Sequence, residues 1–206
     1  MITAARRFDT RDIARIAVFA AIIAALGLVA PVPVPGLVPI TAQTLGVILA
    51  GMVLGAWRGA AAVLVFELLV LIGLPLLSGG HGGPASFVGP ASGYLIGWIP
   101  GAFVTGLIAH SGRGGLSWWR VGLGGVVGGV LVVYALGIPV QAAITGLPLG
   151  AAALTSIVFL PGDLVKITLA TLLTLTLWKA YPPVFDSRRA RVAVRTGDSA
   201  PDPATP

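Results

Sequence analysis

Apolar residues along the chain fall into six long runs, separated by short stretches rich in glycine, proline or basic residues. A helix needs about 20 mostly apolar residues to cross the hydrocarbon core of a bilayer, with about 17 as the lower bound. The runs cover residues 13–30, 41–56, 60–77, 92–109, 121–138 and 154–178, and the fifth pattern can continue past Pro139. The pattern therefore predicts an all-α membrane protein, a bundle of six transmembrane helices.

The basic residues predict how these helices are oriented. Arginines flank the first and last runs, and two of the loops also carry arginine: Arg6, Arg7, Arg11, Arg15, Arg58, Arg113, Arg120, Arg188, Arg189, Arg191 and Arg195. The loops after the first, third and fifth runs contain no Lys or Arg. Because short cytoplasmic loops are enriched in these residues, we expect both termini to be cytoplasmic in a multi-pass protein of the cell membrane.

The composition agrees with a single membrane domain. The chain is 56% hydrophobic and 10% charged, with a mean hydropathy of +0.98, whereas soluble domains carry about 25% charged residues. We expect a cytoplasmic segment at 1–12, a six-helix substrate-binding domain at 13–181 and a cytoplasmic, largely disordered tail at 182–206. The end of that tail, from Thr196, is small, polar and proline-rich, and so has little apolar surface to bury.

Charge and residue content disfavour several classes of function. The net charge of +6 lies largely on the flanks of the apolar runs, where arginines contact anionic headgroups rather than nucleic acid. The absence of cysteine excludes disulfides and thiol chemistry. Two histidines, His81 and His110, are too few and too far apart to indicate a metal cluster. Neither a P-loop nor a Ser–His–Asp arrangement is recognisable, which disfavours an ATPase or a membrane enzyme.

The last apolar run contains a charged pair, Asp163 and Lys166, in the segment Leu-Pro-Gly-Asp-Leu-Val-Lys. Residues three apart share a helix face, and ionisable residues inside a bilayer usually mark a functional site. In the predicted topology the pair lies in the outer half of the sixth helix. The ammonium suits a solute carboxylate and the carboxylate suits N–H donors. The alternative is an internal ion pair with a purely structural role.

Two glycine- and proline-rich outer loops, residues 31–44 and 78–84, border the same side of the membrane. They either cover a ligand or simply connect helices. Their polar residues and one nearby aromatic are further contact candidates: Thr41, Gln43, Thr44, Ser78, His81 and Tyr94. Thr41 also suits a helix N-cap, His81 a solvated loop, and Tyr94 the membrane interface. Gln43 has no such structural explanation.

Two more features leave their roles open. Glu67 lies within the third apolar run, where it suits a proton or cation site, a protonated hydrogen-bonded acid, a partner of Lys166 or a ligand contact. Alanines four apart in the first run, Ala17, Ala21 and Ala25, allow another helix to approach closely. That helix belongs either to the same bundle or to another protein.

Three segments together resemble the BioY family, the biotin-binding S components of energy-coupling-factor (ECF) transporters. The first is Pro-Ile-Thr-Ala-Gln-Thr-Leu-Gly from Pro39. The second joins Ile-Gly-Leu-Pro from Ile72 to Ser-Gly-Gly-His-Gly-Gly from Ser78, Gly-Pro from Gly89 and Gly-Tyr-Leu-Ile-Gly from Gly93. The third is Phe-Leu-Pro-Gly-Asp-Leu-Val-Lys from Phe159. Glu67 and His81 depart from the usual family pattern.

The resemblance implies high-affinity biotin binding near the outer face, with no cofactor. It places Lys166 at the valerate carboxylate and Asp163 at the ureido ring. It further implies docking through Ala17 and Ala21, or Ala21 and Ala25, to a transmembrane coupling protein (the T component), which works with two ATP-binding cassette ATPases. The alternative on the same scaffold is an S component or carrier for another carboxylated vitamin or small solute.

Overall fold

The computed structural model describes residues 9–32, 38–112, 115–181 and 185. The expectations for Arg6, Arg7 and Arg113, and those for the tail beyond Phe185, fall outside these residues. The described chain is helical, and its only strand-like features are two isolated antiparallel bridges, Val32 with Ile40 and Leu77 with His81.

Six helical segments account for most of the described residues. They are α1 (Thr10–Leu26), α2 (Gln43–Leu54), α3 (Ala56–Leu71), α4 (Ser92–Ala109), α5 (Trp118–Thr145) and α6 (Leu149–Ala180). A 3-10 turn, Pro84–Phe87, lies between α3 and α4. Helix α5 contains a π-helical stretch, Gly125–Val132, and α6 a 3-10 turn, Ile157–Phe159. Within the described chain, α4, α5 and α6 are long and apolar enough to cross a membrane, whereas α1, α2 and α3 are shorter.

Helix boundaries differ from the sequence prediction where apolar residues continue past the end of a helix. Helix α3 ends at Leu71 rather than at Leu77, because Gly73 adopts a φ of +107° and Pro75 has no N–H to donate. Helix α1 likewise ends at Leu26, four residues early. The fourth helix has the predicted bounds. Helix α5 continues through Pro139, and α6 begins five residues earlier than expected.

The turn between α2 and α3 is shorter than the predicted loop. Gly55, with a φ of +82°, alone separates the two helices, so Arg58 lies in the first turn of α3. Its Nε approaches Oδ1 of Asp12 at 2.8 Å, which ties the start of α1 to the start of α3. Asp12 is buried and also pairs with Arg15. This end of the bundle is therefore held together by ionic contacts.

Glycines allow α4 and α5 to pack closely. A Cβ added to Gly101 of α4 would lie 2.8 Å from the Gly128 carbonyl oxygen of α5. A Cβ added to Gly124 would lie 2.7 Å from the Thr105 carbonyl oxygen. Small residues at such contacts let helix backbones approach within van der Waals distance. Helix α4 also packs against α2 and α3, so it occupies the centre of the bundle.

Four basic residues of the described helices lie at one end of the bundle, away from Lys166. Successive helices run in alternating directions, so Arg11, Arg58, Arg120 and Lys179 share the end at which α1 begins. The links from α1 to α2 and from α3 to α4 lie at the other end. Beyond α6, Phe185 is buried and packs edge-to-face on Trp178 at a centroid distance of 5.0 Å. The start of the predicted disordered tail thus makes at least one packing contact.

Candidate ligand-binding site

A cavity of about 410 Å³ lies at the end of the bundle where α1 is linked to α2 and α3 to α4. Its walls come from the segment before α2 and the start of α2, the segment between α3 and α4, and the facing sides of α4, α5 and α6. Every contact residue expected from the sequence lines it: Thr41, Gln43, Thr44, Ser78, His81, Tyr94, Asp163 and Lys166. The structure therefore brings together candidates that are more than 100 residues apart in sequence.

The charged pair forms the polar wall of this cavity. Asp163 lies in the first turn of the Leu160–Ala180 part of α6, and Lys166 follows one turn later. Lys166 Nζ donates to Asp163 Oδ1 at 3.1 Å and to Thr44 Oγ1 at 2.7 Å. The Lys166 and Asp163 side chains are only 13% and 8% exposed. The ion pair considered from the sequence therefore exists, and it faces the cavity.

Tyr134, which sequence reasoning missed, completes the surroundings of the carboxylate. Its hydroxyl donates to Asp163 Oδ2 at 2.6 Å, so each carboxylate oxygen accepts one hydrogen bond from the protein. Tyr134 lies on α5 in an apolar run, where an aromatic residue carries no signal of a polar role. Only the packing of α5 against α6 shows that this hydroxyl reaches the site.

The hydrogen bonds leave both charged groups with capacity for a ligand. An ammonium has three N–H donors, and those of Lys166 to Thr44 and Asp163 use two of them. A carboxylate offers about four lone-pair positions, of which the bonds from Tyr134 and Lys166 occupy two. The wall can therefore donate to an anionic group and accept from N–H groups at the same time.

Gln43 lines the cavity, but its amide is engaged by the protein backbone. Its Nε2 donates to the carbonyl oxygens of Ile23 at 3.2 Å and Leu76 at 3.0 Å. Its Oε1 accepts from the Ser78 backbone N–H at 2.9 Å. The side chain is 1% exposed. These bonds supply the structural role that the sequence did not indicate.

Tyr94 is buried inside the bundle and is not an interfacial residue. Its hydroxyl donates to Gln141 Oε1 at 2.7 Å and lies 2.7 Å from Ser156 Oγ. Gln141 and Ser156 are themselves buried, on α5 and α6. Tyr94 therefore presents its ring to the cavity while its hydroxyl joins three helices.

Aromatic rings form the apolar part of the wall. The Tyr94 ring packs edge-to-face on Tyr134 at a centroid distance of 5.9 Å and on Phe159 at 6.3 Å. Trp98 adds a further ring and is tilted against Phe66 at 6.2 Å. Flat apolar surfaces of this kind suit a compact ring system, while the charged wall fixes its orientation.

The remaining candidates lie around the cavity mouth. Thr41 lines the cavity but does not cap α2, because the helix begins at Gln43 and its N-cap residue is Ala42. The Ser78 hydroxyl donates to the Val29 carbonyl oxygen at 2.9 Å. His81 is exposed, and its Nδ1 lies 3.2 Å from the Ser78 carbonyl oxygen.

Two features singled out from the sequence lie away from the cavity. Glu67 is buried in α3, does not line the cavity, and its Oε1 has no hydrogen-bond partner among the described residues. The alanines Ala17, Ala21 and Ala25 are exposed along one face of α1. Groups of His, Cys, Asp or Glu that could hold a metal ion are absent from the described part of the chain.

A profile of the BioY family matches residues 2–183. The chain belongs to the BioY family. It is 49% identical over 180 residues to the biotin transporter BioY of Rhizobium etli, covering 84% of this chain and 96% of that protein. It is 46% identical over 190 residues to the biotin transporter BioY of Rhodobacter capsulatus, covering 86% and 98% of the two chains.

The fold is shared with a solved S component. A crystal structure of the S-component for biotin from an ECF-type ABC transporter superposes with a TM-score of 0.78 at 32% sequence identity. The match covers 86% of this chain and 95% of that one. The BioY likeness therefore extends over the bundle that contains the cavity, and not only over the three motifs.

Proposed function

We propose that this protein is the high-affinity biotin-binding membrane subunit, the S component, of an ECF-type importer. The observation that carries the proposal is the cavity that combines a Lys166–Asp163 wall with facing aromatic rings. BioY relatives named as biotin transporters and the S-component fold support it. The subunit binds and carries its solute, and it is not an enzyme.

The two ends of biotin match the two charged groups. In our proposal the third N–H of Lys166 donates to the valerate carboxylate, and Asp163 accepts from the ureido N–H groups. Charge-assisted hydrogen bonds of this kind are stronger than neutral ones. The bicyclic ring packs against Tyr94, Tyr134 and Phe159. A cavity of about 410 Å³ lies within the range of about 300–1,000 Å³ that small-molecule sites occupy.

Thr41, Thr44, Ser78 and His81 complete the proposed contacts around the ligand. Thr44 holds the Lys166 ammonium, and the other three border the mouth. Gln43 and Tyr94 contribute position and ring surface respectively, since their polar atoms bond to the protein.

In the membrane we propose six spans within residues 13–181, with both termini on the cytoplasmic side. Arg11, Arg58, Arg120 and Lys179 lie at the end opposite the cavity, which the positive-inside rule assigns to the cytoplasm, whereas Lys166 lies in the cavity wall. The cavity then opens toward the outer face. Helices α1, α2 and α3 are short for a span, and local thinning of the bilayer or snorkelling of flanking residues accommodates such a mismatch.

Energy for uptake comes, in this proposal, from separate proteins. The sequence contains no P-loop, so ATP hydrolysis belongs to two ATP-binding cassette ATPases, joined through a T component. The exposed small-residue face of α1, formed by Ala17, Ala21 and Ala25, is the surface we assign to that coupling protein.

Equilibrium binding to the purified protein tests the proposal. We expect one biotin per chain, with lipoate and pantothenate failing to compete at equal concentration. Preferential binding of either competitor would favour the alternative, an S component or carrier for another carboxylated solute. Absence of binding to all three would contradict the assignment of biotin.

A further inference from the structure

We infer that Gln43 is a positioning residue that fixes residues 76–81, here called the cover segment, over the cavity and thereby sets how fast the ligand leaves. The inference rests on the proposed biotin site. It assigns Gln43 a role distinct from ligand contact, because it acts through the cover segment.

One amide joins three parts of the fold. From the start of α2, Gln43 Nε2 reaches the Ile23 carbonyl in α1 at 3.2 Å and the Leu76 carbonyl in the cover segment at 3.0 Å. Its Oε1 receives the Ser78 N–H at 2.9 Å. Both amide hydrogens are used, so no donor remains for a solute.

The cover segment is a tight turn that is closed by its own hydrogen bonds. The Leu77 N–H donates to the His81 carbonyl at 3.0 Å, and the Gly80 N–H donates to the Leu77 carbonyl at 2.9 Å. Gly79 and Gly80 have φ values of +84° and +75°, which a residue with a side chain rarely adopts. The turn presents Leu77, Ser78 and His81 to the cavity.

Among the described residues, few other polar contacts attach this turn to the bundle. The Ser78 hydroxyl donates to the Val29 carbonyl at 2.9 Å, and just beyond the turn the Gly83 N–H donates to the Val70 carbonyl at 2.7 Å. The two bonds from Gln43 hold Leu76 and Ser78, in the first half of the turn. Loss of the amide therefore frees the part of the turn that borders the cavity.

The backbone groups around the Gln43 side chain require an amide. Two carbonyl oxygens and one N–H meet around the side chain, so one end must donate twice and the other must accept. A glutamic acid that is protonated at this buried position retains the acceptor for Ser78 and has one donor for the carbonyl oxygens of Ile23 and Leu76, where glutamine has two. Methionine fills a similar volume and leaves all three backbone groups without their partner. The two substitutions therefore loosen the cover segment to different degrees.

Release kinetics and hydrogen exchange test the inference on the full chain in detergent or nanodiscs. For Gln43→Met we expect biotin dissociation about tenfold faster, with a smaller change in the association rate, because a buried hydrogen-bonded group has been removed. Amide exchange in residues 76–81 should rise in the absence of biotin. Gln43→Glu should show an intermediate increase, and it provides the test if the methionine variant does not fold.

Two comparisons isolate the positioning role. Gln141→Met makes the same chemical change at another buried glutamine, one that bonds to Tyr94, and should leave exchange in residues 76–81 unchanged. The preference for biotin over its methyl ester should persist in Gln43→Met, because Lys166 is intact.

The inference would be overturned if both Gln43 variants released biotin, and exchanged the amide hydrogens of residues 76–81, at the wild-type rates. Loss of the preference for biotin over its ester would also overturn it, since Gln43 would then contact the ligand directly. If the wild-type protein fails to bind biotin, the proposed function fails. Exchange in residues 76–81 without ligand still decides whether Gln43 holds the cover segment.

Discussion

Replacing Lys166 by methionine separates the structural role of the charged pair from its role in ligand binding. In the wild-type protein Nζ lies 3.1 Å from Asp163 Oδ1, and both side chains are largely buried. At an effective dielectric constant of about 20, two charges at this distance attract by about 5 kcal/mol. Part of that attraction offsets the desolvation of both groups.

The substitution acts on both stability and affinity. Removing one partner of a buried pair typically costs about 3–5 kcal/mol, so Lys166→Met should lower the stability of the ligand-free protein by about that amount. Loss of the hydrogen bond to a charged carboxylate costs about 1.5–3 kcal/mol, which corresponds to affinity weaker by about 10- to 150-fold. Thermal stability without ligand and calorimetric titration with biotin measure the two effects.

A double variant shows whether the two effects are distinct. Asp163→Asn combined with Lys166→Met removes both charges and leaves no unpaired ion, so most of the lost stability should return. Biotin affinity should stay weak, because neither end of the ligand meets its charged partner.

The matched control is Lys179→Met, at the only other lysine of the chain. Lys179 is exposed near the end of α6 and does not line the cavity. It should bind biotin as the wild type does. Tight biotin binding by Lys166→Met, or by the double variant, would refute the reasoning.

The remaining predictions concern the site, the bundle and the coupling surface. Tyr134→Phe removes the hydroxyl that donates to the site carboxylate and should lower stability by about 1.5–3 kcal/mol, seen in the melting temperature. Gly101→Ala should cost about 1–3 kcal/mol, because the new methyl meets the backbone of α5. Gly89→Ala, where an added Cβ meets open space, should cost less. Ala21→Trp should abolish co-purification with the coupling protein while biotin titration stays unchanged, and normal co-purification would contradict the assigned surface.

The sequence predicted much of the helical architecture because long apolar runs are a strong signal. The fourth helix begins at Ser92 and ends at Ala109, as predicted, because residues that favour turns flank its apolar run on both sides. The end of α3 was wrong because Ile72 to Leu77 is as apolar as the helix before it. The positive φ of Gly73 ends α3, and the hydrophobicity of the sequence does not reveal this backbone conformation.

The candidate site was predictable where a residue is unusual for its surroundings. Charges in an apolar run marked Asp163 and Lys166, and the loop composition marked Ser78 and His81. The hydrogen bond of Tyr134 was not predicted, because it depends on the distance between two helices and no local sequence pattern reports that distance.

Gln43 illustrates a different limit of sequence reasoning. Its polarity near the mouth marked it as a ligand contact, but the surrounding backbone carbonyls and N–H determine what it bonds to. Backbone partners carry no residue-specific signal, so only the structure shows that the Gln43 amide bonds to Ile23, Leu76 and Ser78.

Native mass spectrometry of the gently purified protein, before and after addition of biotin, tests the central claim most directly. We expect one biotin retained per wild-type chain and none by the Asp163→Asn, Lys166→Met double variant. A wild-type chain that retains a different small molecule and excludes added biotin would contradict the proposed function, and retention of biotin by the double variant would contradict the proposed site.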